Sequence, residues 1–197
     1  LSAEAYASGA WHSFETERTL LLAPFIKGIA SGETDASQIQ AGASVAYDLL
    51  RGERLSLGAV GGLHYVNVDI DAYTETGVGA LGAAVSARSA DSLRSQLGGE
   101  LALHLDPTTA LVVPMLRVVW NHEFMDDPLA VTSAFAGAPG VTFQAPGPDL
   151  GTDWATVGFG VSGSVSADTN FYLRVQKDIG RDGAERHEVS AAARFGF

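Results

Sequence analysis

Apolar residues recur at every second position along most of the chain. The cleanest run is 155–165, where Ala155, Val157, Phe159, Val161 and Val165 alternate with Thr156, Gly158, Gly160, Ser162 and Ser164. Successive side chains of a strand point to opposite faces, so this period predicts a sheet with one apolar and one polar side. Seven other segments carry the same signal, at about 1–12, 38–49, 55–65, 93–105, 115–124, 171–178 and 189–197. In the first, Leu1, Ala3, Ala5, Ala7, Gly9 and Trp11 oppose Ser2, Glu4, Tyr6, Ser8, Ala10 and His12. In the last, Val189, Ala191, Ala193, Phe195 and Phe197 oppose Ser190, Ala192, Arg194 and Gly196. The third segment slips phase after Tyr65, to Val66, Val68 and Ile70; a bulge, or passage beyond a lipid layer, would produce that slip. Pro114 suits a strand start better than a strand centre.

The connections sort by length. Those after the first, third and fifth strands are long (13–37, 71–91 and 126–153). Those after the second, fourth and sixth are turns at Arg51-Gly52-Glu53, Asp106-Pro107-Thr108-Thr109 and Ser166-Ala167-Asp168-Thr169. The last link, Arg181-Asp182-Gly183, is short as well. Outer-membrane barrels place long loops outside the cell and short turns in the periplasm. The expected fold is therefore all-β: a transmembrane antiparallel up-and-down β-barrel, with its first strand rising from the periplasm. A soluble β-sandwich also gives alternating strands, but has no reason to sort its loops by side. The apolar run Leu20 to Ile26 does not alternate and has no place in this scheme.

Composition narrows the picture in three ways. The 197 residues carry 12 Lys and Arg against 23 Asp and Glu, a net charge of −11, which disfavours a nucleic-acid partner. With no cysteine, disulfides and thiolate metal sites are out. No stretch reaches the roughly 20 apolar residues of a membrane helix, which leaves strands as the route across a bilayer. The chain opens on Leu1 with neither Met nor a signal peptide, as expected of a mature or excised piece.

The polar face of the strands holds Glu4, Gln40, Asp48, Arg94, Glu100, Arg117, Glu123, Arg174, Asp178, Glu188 and Arg194. In a barrel these side chains point into a hydrated lumen. There they can carry a hydrophilic segment, or simply satisfy one another. A charge on the lipid side would cost about 2–4 kcal/mol at mid-depth for Arg or Lys, so the sorting supports the phase. Trp11, Tyr65 and Trp120 fall near the long-loop ends; Tyr47, Phe171, Phe195 and Phe197 fall near the short-turn ends, as two interfacial girdles would. The histidines give no acid–base pair: His122 and Glu123, as strand neighbours, point to opposite faces. His64 and His104 have no metal-ligand spacing. No catalytic, cofactor or metal site is expected. The alternative is a small outer-membrane barrel enzyme, a hydrolase or protease with a loop-borne active site.

Several segments, in order, resemble the C-terminal β-barrel translocator of autotransporters, the type V secretion proteins. They are Tyr73-Thr74-Glu75, Asp91-Ser92-Leu93-Arg94-Ser95-Gln96-Leu97-Gly98, Trp120-Asn121-His122-Glu123-Phe124 and Phe135-Ala136-Gly137-Ala138-Pro139, followed by a chain end on Phe197. The resemblance covers nearly all of residues 1–197. It implies a twelve-stranded, monomeric barrel in the bacterial outer membrane that exports and anchors an N-terminal passenger through its pore. Its partners would be the lipid bilayer, the barrel assembly machinery and its own passenger segment. The strand carrying Val189, Phe195 and Phe197 resembles the family's assembly signal. Eight strands are visible where the family has twelve. Either the first four strands and the passenger precede Leu1, or the assignment to a twelve-stranded family is too narrow.

Overall fold

The computed structural model describes residues 1–22, 26–105, 111–125, 129–166 and 168–196. Within it the chain runs β1 (Ser2–Leu22), β2 (Ile26–Arg51), β3 (Leu55–Ile70), β4 (Tyr73–Thr74), β5 (Ala83–Val85), β6 (Arg88–Leu103), β7 (Leu111–Glu123), β8 (Val131–Phe135), β9 (Ala138–Ala145), β10 (Asp153–Ser166), β11 (Thr169–Ile179) and β12 (His187–Phe195). The Asp106–Thr109 turn, Ala167 of the next turn and Phe197 lie outside the described residues.

The long alternating segments pair in chain order into one antiparallel sheet, β1-β2-β3-β6-β7-β10-β11-β12, curled into a half-barrel. All eight expected strands are present, and all-β architecture is the observed fold. The first two are much longer than their alternation suggested. Ser13 to Leu22 continues β1 and Ile26 to Ser37 begins β2, paired without interruption from Ser13↔Asp35 to Leu22↔Ile26. What looked like a polar loop is a hairpin that extends the wall, and Leu20 to Leu22 lies within its strand.

Of the two readings of the phase slip in β3, the bulge is absent. Its register stays continuous through Ala41↔Tyr65, Gln40↔Val66 and Ile39↔Asn67. Alternation is kept and the chemistry inverts instead. Tyr65 and Asn67 reach outward to Asp91 (2.6 and 3.2 Å), while Val66 and Val68 turn inward. The same inversion marks the long hairpin. Its outer positions change from Trp11 and Ile39 to Ser13, Glu15, Glu17, Glu33 and Asp35. An apolar outside belongs in lipid and a polar outside in water, so the switch beside Trp11 marks the membrane boundary. Real register shifts occur near two short turns, at Asp48/Leu50 and Ser164/Ser166. Pro114 sits inside β7, past the last β6–β7 partner pair Ala102↔Met115. Its missing N–H interrupts that ladder, which resumes in the same register at the Leu105↔Val112 bridge.

The links after β3 and β7, expected as loops, contain a second sheet of order β4-β5-β8-β9. It lies against the inner face of the hairpin extension, where the Tyr73 ring covers Gly32 and Val78 covers Gly28. Here sits the densest apolar packing among the described residues: Ala30, Ala36, Ala83, Val85 and Ala134 are buried, with Thr34 and Ser133. Among the described residues, no helix is long and apolar enough to cross a membrane.

Candidate functional site

Partner pairs across an antiparallel ladder share a face, so the register places every candidate side chain. Glu4 opposes Ser44, Gln40 opposes Ser8, Arg94 opposes Glu123, Glu100 opposes Arg117, Arg174 opposes Ser190 and Arg194 opposes Asn170. With Asp178 opposite Thr156, all nine fall on one face. That face is the crowded, inner one. Asn121 (1% exposed), Val119, Trp154 (4%) and Asp178 are buried on it, whereas Leu97, Trp120 and Phe159 (56%) stand open on the other.

Hydrogen bonds run around the inner face at one level. The Tyr6 hydroxyl meets His64 Nδ1 at 3.1 Å, and His64 Nε2 meets Gln96 Oε1 at 3.2 Å. Gln96 donates to Asn121 Oδ1 (3.0 Å), Asn121 donates to Thr156 Oγ1 (2.9 Å), and Thr156 donates to Asp178 (2.7 Å). The belt links β1 to β11. It steps over β2 because Gly42 has no side chain: a Cβ there would come within 2.6 Å of the Tyr6 ring and 2.7 Å of His64 Nδ1.

A second level is ionic. Glu100 on β6 lies 3.8 Å from Arg117 on β7 and 3.6 Å from Arg174 on β11. Arg174 reaches across β10 because Gly158 and Gly160 stand in between. Further along, Gln176 donates to Glu188 (3.1 Å), which also pairs with Arg186, and Arg181 lies 3.5 Å from Asp178. Glu4 accepts from Ser44 at 3.1 Å and Gln40 donates to Ser8 at 2.8 Å.

Above the boundary one ion pair ties the small sheet to the wall. Arg18 of β1 donates Nε to Glu75 Oε1 at 3.1 Å and Nη2 to Oε2 at 2.5 Å; the Ala83 N–H adds 2.8 Å to Oε2. The hydrogen bond from Arg18 holds the Glu75 carboxyl below the usual carboxylate range, against the opposing effect of partial burial. Backbone bonds between Ser31 and Thr76 (3.1 and 2.8 Å) support the same junction, and Gly77 beside it has φ +89°. Only glycine adopts that conformation without strain.

Alternation located the polar residues but missed Trp154 and Arg181. Arg181 lies 4.4 Å from the Trp154 ring centroid and Arg94 lies 5.9 Å from it, on the inner face. Trp154 was legible one residue before the cleanest alternating run, in phase with Thr156. Arg181 follows β11 and carried no periodic signal. His122 and Glu123 part as strand neighbours must. His122 turns outward to Asp153 (2.9 Å), and Glu123 turns inward to Ser92 Oγ (2.7 Å) and the Leu93 N–H (2.7 Å).

A curled antiparallel wall, apolar outside, charged and hydrogen-bonded inside, with its long connections gathered at one end, defines a membrane β-barrel of the outer-membrane kind. No curated protein matches the chain. The autotransporter beta-domain family does match it, over residues 1–176, and the chain belongs to that family. Membership makes it an outer-membrane translocator for a passenger domain.

Proposed function

We propose that the inner face of this wall is the path along which the passenger's linking segment crosses the outer membrane, and that the barrel itself performs no chemistry. The observation that carries the reading is the pairing of Glu100 with both Arg117 and Arg174 across three strands. Charges already paired with neighbours, here one carboxylate between two guanidiniums, line a hydrated channel without gripping a passing polar chain. The Tyr6-to-Asp178 belt likewise uses its polar groups on one another. Glu4, Gln40, Arg94, Glu123 and Arg194 complete this lining.

Two further parts of the reading concern assembly. Among the described residues, the outer edges of β1 and β12 have no partner in the sheet order. Unpaired backbone groups in hydrocarbon cost several kcal/mol each, so those edges call for additional strands of the same protein, four in a twelve-stranded monomeric barrel. Val189 and Phe195 share the outer face of β12, a position suited to recognition by the barrel assembly machinery, and Phe197 continues their phase in sequence. The test is Phe197→Asp in the full chain, expressed in a Gram-negative host. Synthesis stays normal, while insertion into the outer membrane and protease-accessible passenger at the cell surface both fall severalfold. Undiminished insertion would contradict the signal.

A further inference from the structure

The arginines of β6, β7, β11 and β12 (Arg88, Arg94, Arg117, Arg174 and Arg194) all take inner positions of the register. Lys177 does not. It stands exposed between Val175 and Ile179 on the outer face of β11, with Val157 of β10 on one side and His187 of β12 on the other. Its height follows from the lowest outward pair of polar residues on each hairpin. These pairs are Ser13 with Asp35, Asn67 with Asp91, His122 with Asp153, and Lys177 with His187. Traced along the register, their rows cross the β3 segment at Asp71, Asn67, Leu63 and Ala59, a constant step of four residues. A membrane boundary slides along the register in this way when strands tilt. At about 45° it moves about 4.8 Å per strand, or about three residues per hairpin. The observed step is slightly larger, so Lys177 lies on the lipid side of that line, toward the long-loop end of the wall.

We propose that Lys177, with His187 beside it, is a docking point for the phosphate group of an outer-leaflet lipid. The wall itself supplies no counter-ion. Among the described residues no carboxylate lies within 4.0 Å of the Lys177 ammonium; Asp153 is turned to His122 and Glu185 to His187. Asp126 and Asp127, outside the described residues, follow β7 beyond Glu123, whereas the row of Lys177 meets β7 lower down, at Val118, with β10 in between. A lysine on a lipid-facing surface is destabilising unless its ammonium reaches the interface or an anion, and its flexible stem allows both. Charge selects the sector. Around β1, β2, β3 and β6 the outward boundary positions include Asp35, Asp69 and Asp91, which repel an anionic headgroup, whereas Lys177 and His187 attract one. A compact ammonium binds phosphate as a point charge. The source is a lipid rather than free phosphate, because Val157, Val175, Ile179 and Val189 surround the site and suit acyl chains. The proposal rests on the membrane orientation of the wall and not on the passenger's path.

The test incubates the full-length protein, purified in detergent, with diphosphorylated lipid A or with the same glycolipid after enzymatic removal of its phosphates. Native mass spectrometry counts the lipid retained on the folded, heat-modifiable fraction. The unaltered protein should retain the phosphorylated form severalfold better. Lys177→Gln should abolish that preference, Lys177→Arg should keep most of it, and His187→Gln should weaken it. Lys27→Gln, which removes the lysine near the hairpin tip, should leave it unchanged. Lys177→Gln only takes a charge off the lipid-facing surface, and scoring the folded fraction separates lost binding from lost folding. Equal retention of the two glycolipids by the unaltered protein, or an undiminished preference in Lys177→Gln, would overturn the proposal. So would displacement of the bound glycolipid by sodium phosphate alone, which would make free phosphate the ligand.

Discussion

At the scale of single residues, the account depends on which way each side chain points, and the consequences are asymmetric. Phe159 stands open on the outer face in the middle of β10, whereas Ser162 shares the inner face with Tyr172. An arginine at mid-depth on the lipid side costs about 2–4 kcal/mol. Phe159→Arg should therefore lower folding stability in bilayers by about that much, with Ser162→Arg costing far less; urea titration in lipid vesicles gives both values. Equal losses would mean the phase is wrong. The family-like segments also resolve into physical roles at this scale. A Cβ on Gly98 would meet the Val118 carbonyl oxygen at 2.1 Å, so the neighbouring strand tolerates only glycine there. In Trp120-Asn121-His122-Glu123, alternate residues face outward and inward: Asn121 is a link in the hydrogen-bond belt, and Trp120 stands in the outer band.

At the scale of elements, the junction between the small sheet and the long hairpin carries a pH dependence. Glu75 has a depressed carboxyl, so its contribution is present at pH values above the unfolded-state value near 4.3 and is lost as pH falls through the lower folded-state value. Amide protection of residues 73–85 and 131–135 should fall below about pH 4.3, while that of β10 and β11 stays. Glu75→Gln should lower protection at neutral pH and flatten its acid dependence; an unchanged acid dependence in that variant would assign the effect elsewhere. This part of the molecule was the least legible in the sequence. Period two locates strands with one apolar and one polar face, and all eight wall strands met that condition. The hairpin extension does not, because above the boundary its outer face is acidic and its inner face holds Gly28, Ala30 and Gly32 against the small sheet. β4 and β5 span two and three residues, too few for any periodicity to register. Tyr73-Thr74-Glu75 was visible as a motif, but its purpose depends on Arg18, 57 positions earlier, which only the folded register brings near.

At the scale of the whole molecule, the sheet is a curved wall whose outer edges, on β1 and β12, have no partner among the described residues. If the working barrel needs further strands to close, residues 1–197 alone should insert poorly and show little heat-modifiable gel shift, and supplying the upstream strands should restore it. A robust shift from residues 1–197 alone, unaffected by upstream sequence, would mean that β1 and β12 close on each other. The central claim is that one face of this wall meets lipid and the other meets a water-filled lumen. Residues 1–197 contain no cysteine, so single cysteines can be placed one at a time along positions 155–162 of the full-length protein and spin-labelled in bilayers. The account predicts that collision with oxygen peaks at 155, 157, 159 and 161, and collision with a water-soluble nickel chelate at 156, 158, 160 and 162. Labels that show no alternation, or a set 155, 157, 159 and 161 shielded from lipid as in a sandwich core, would contradict it.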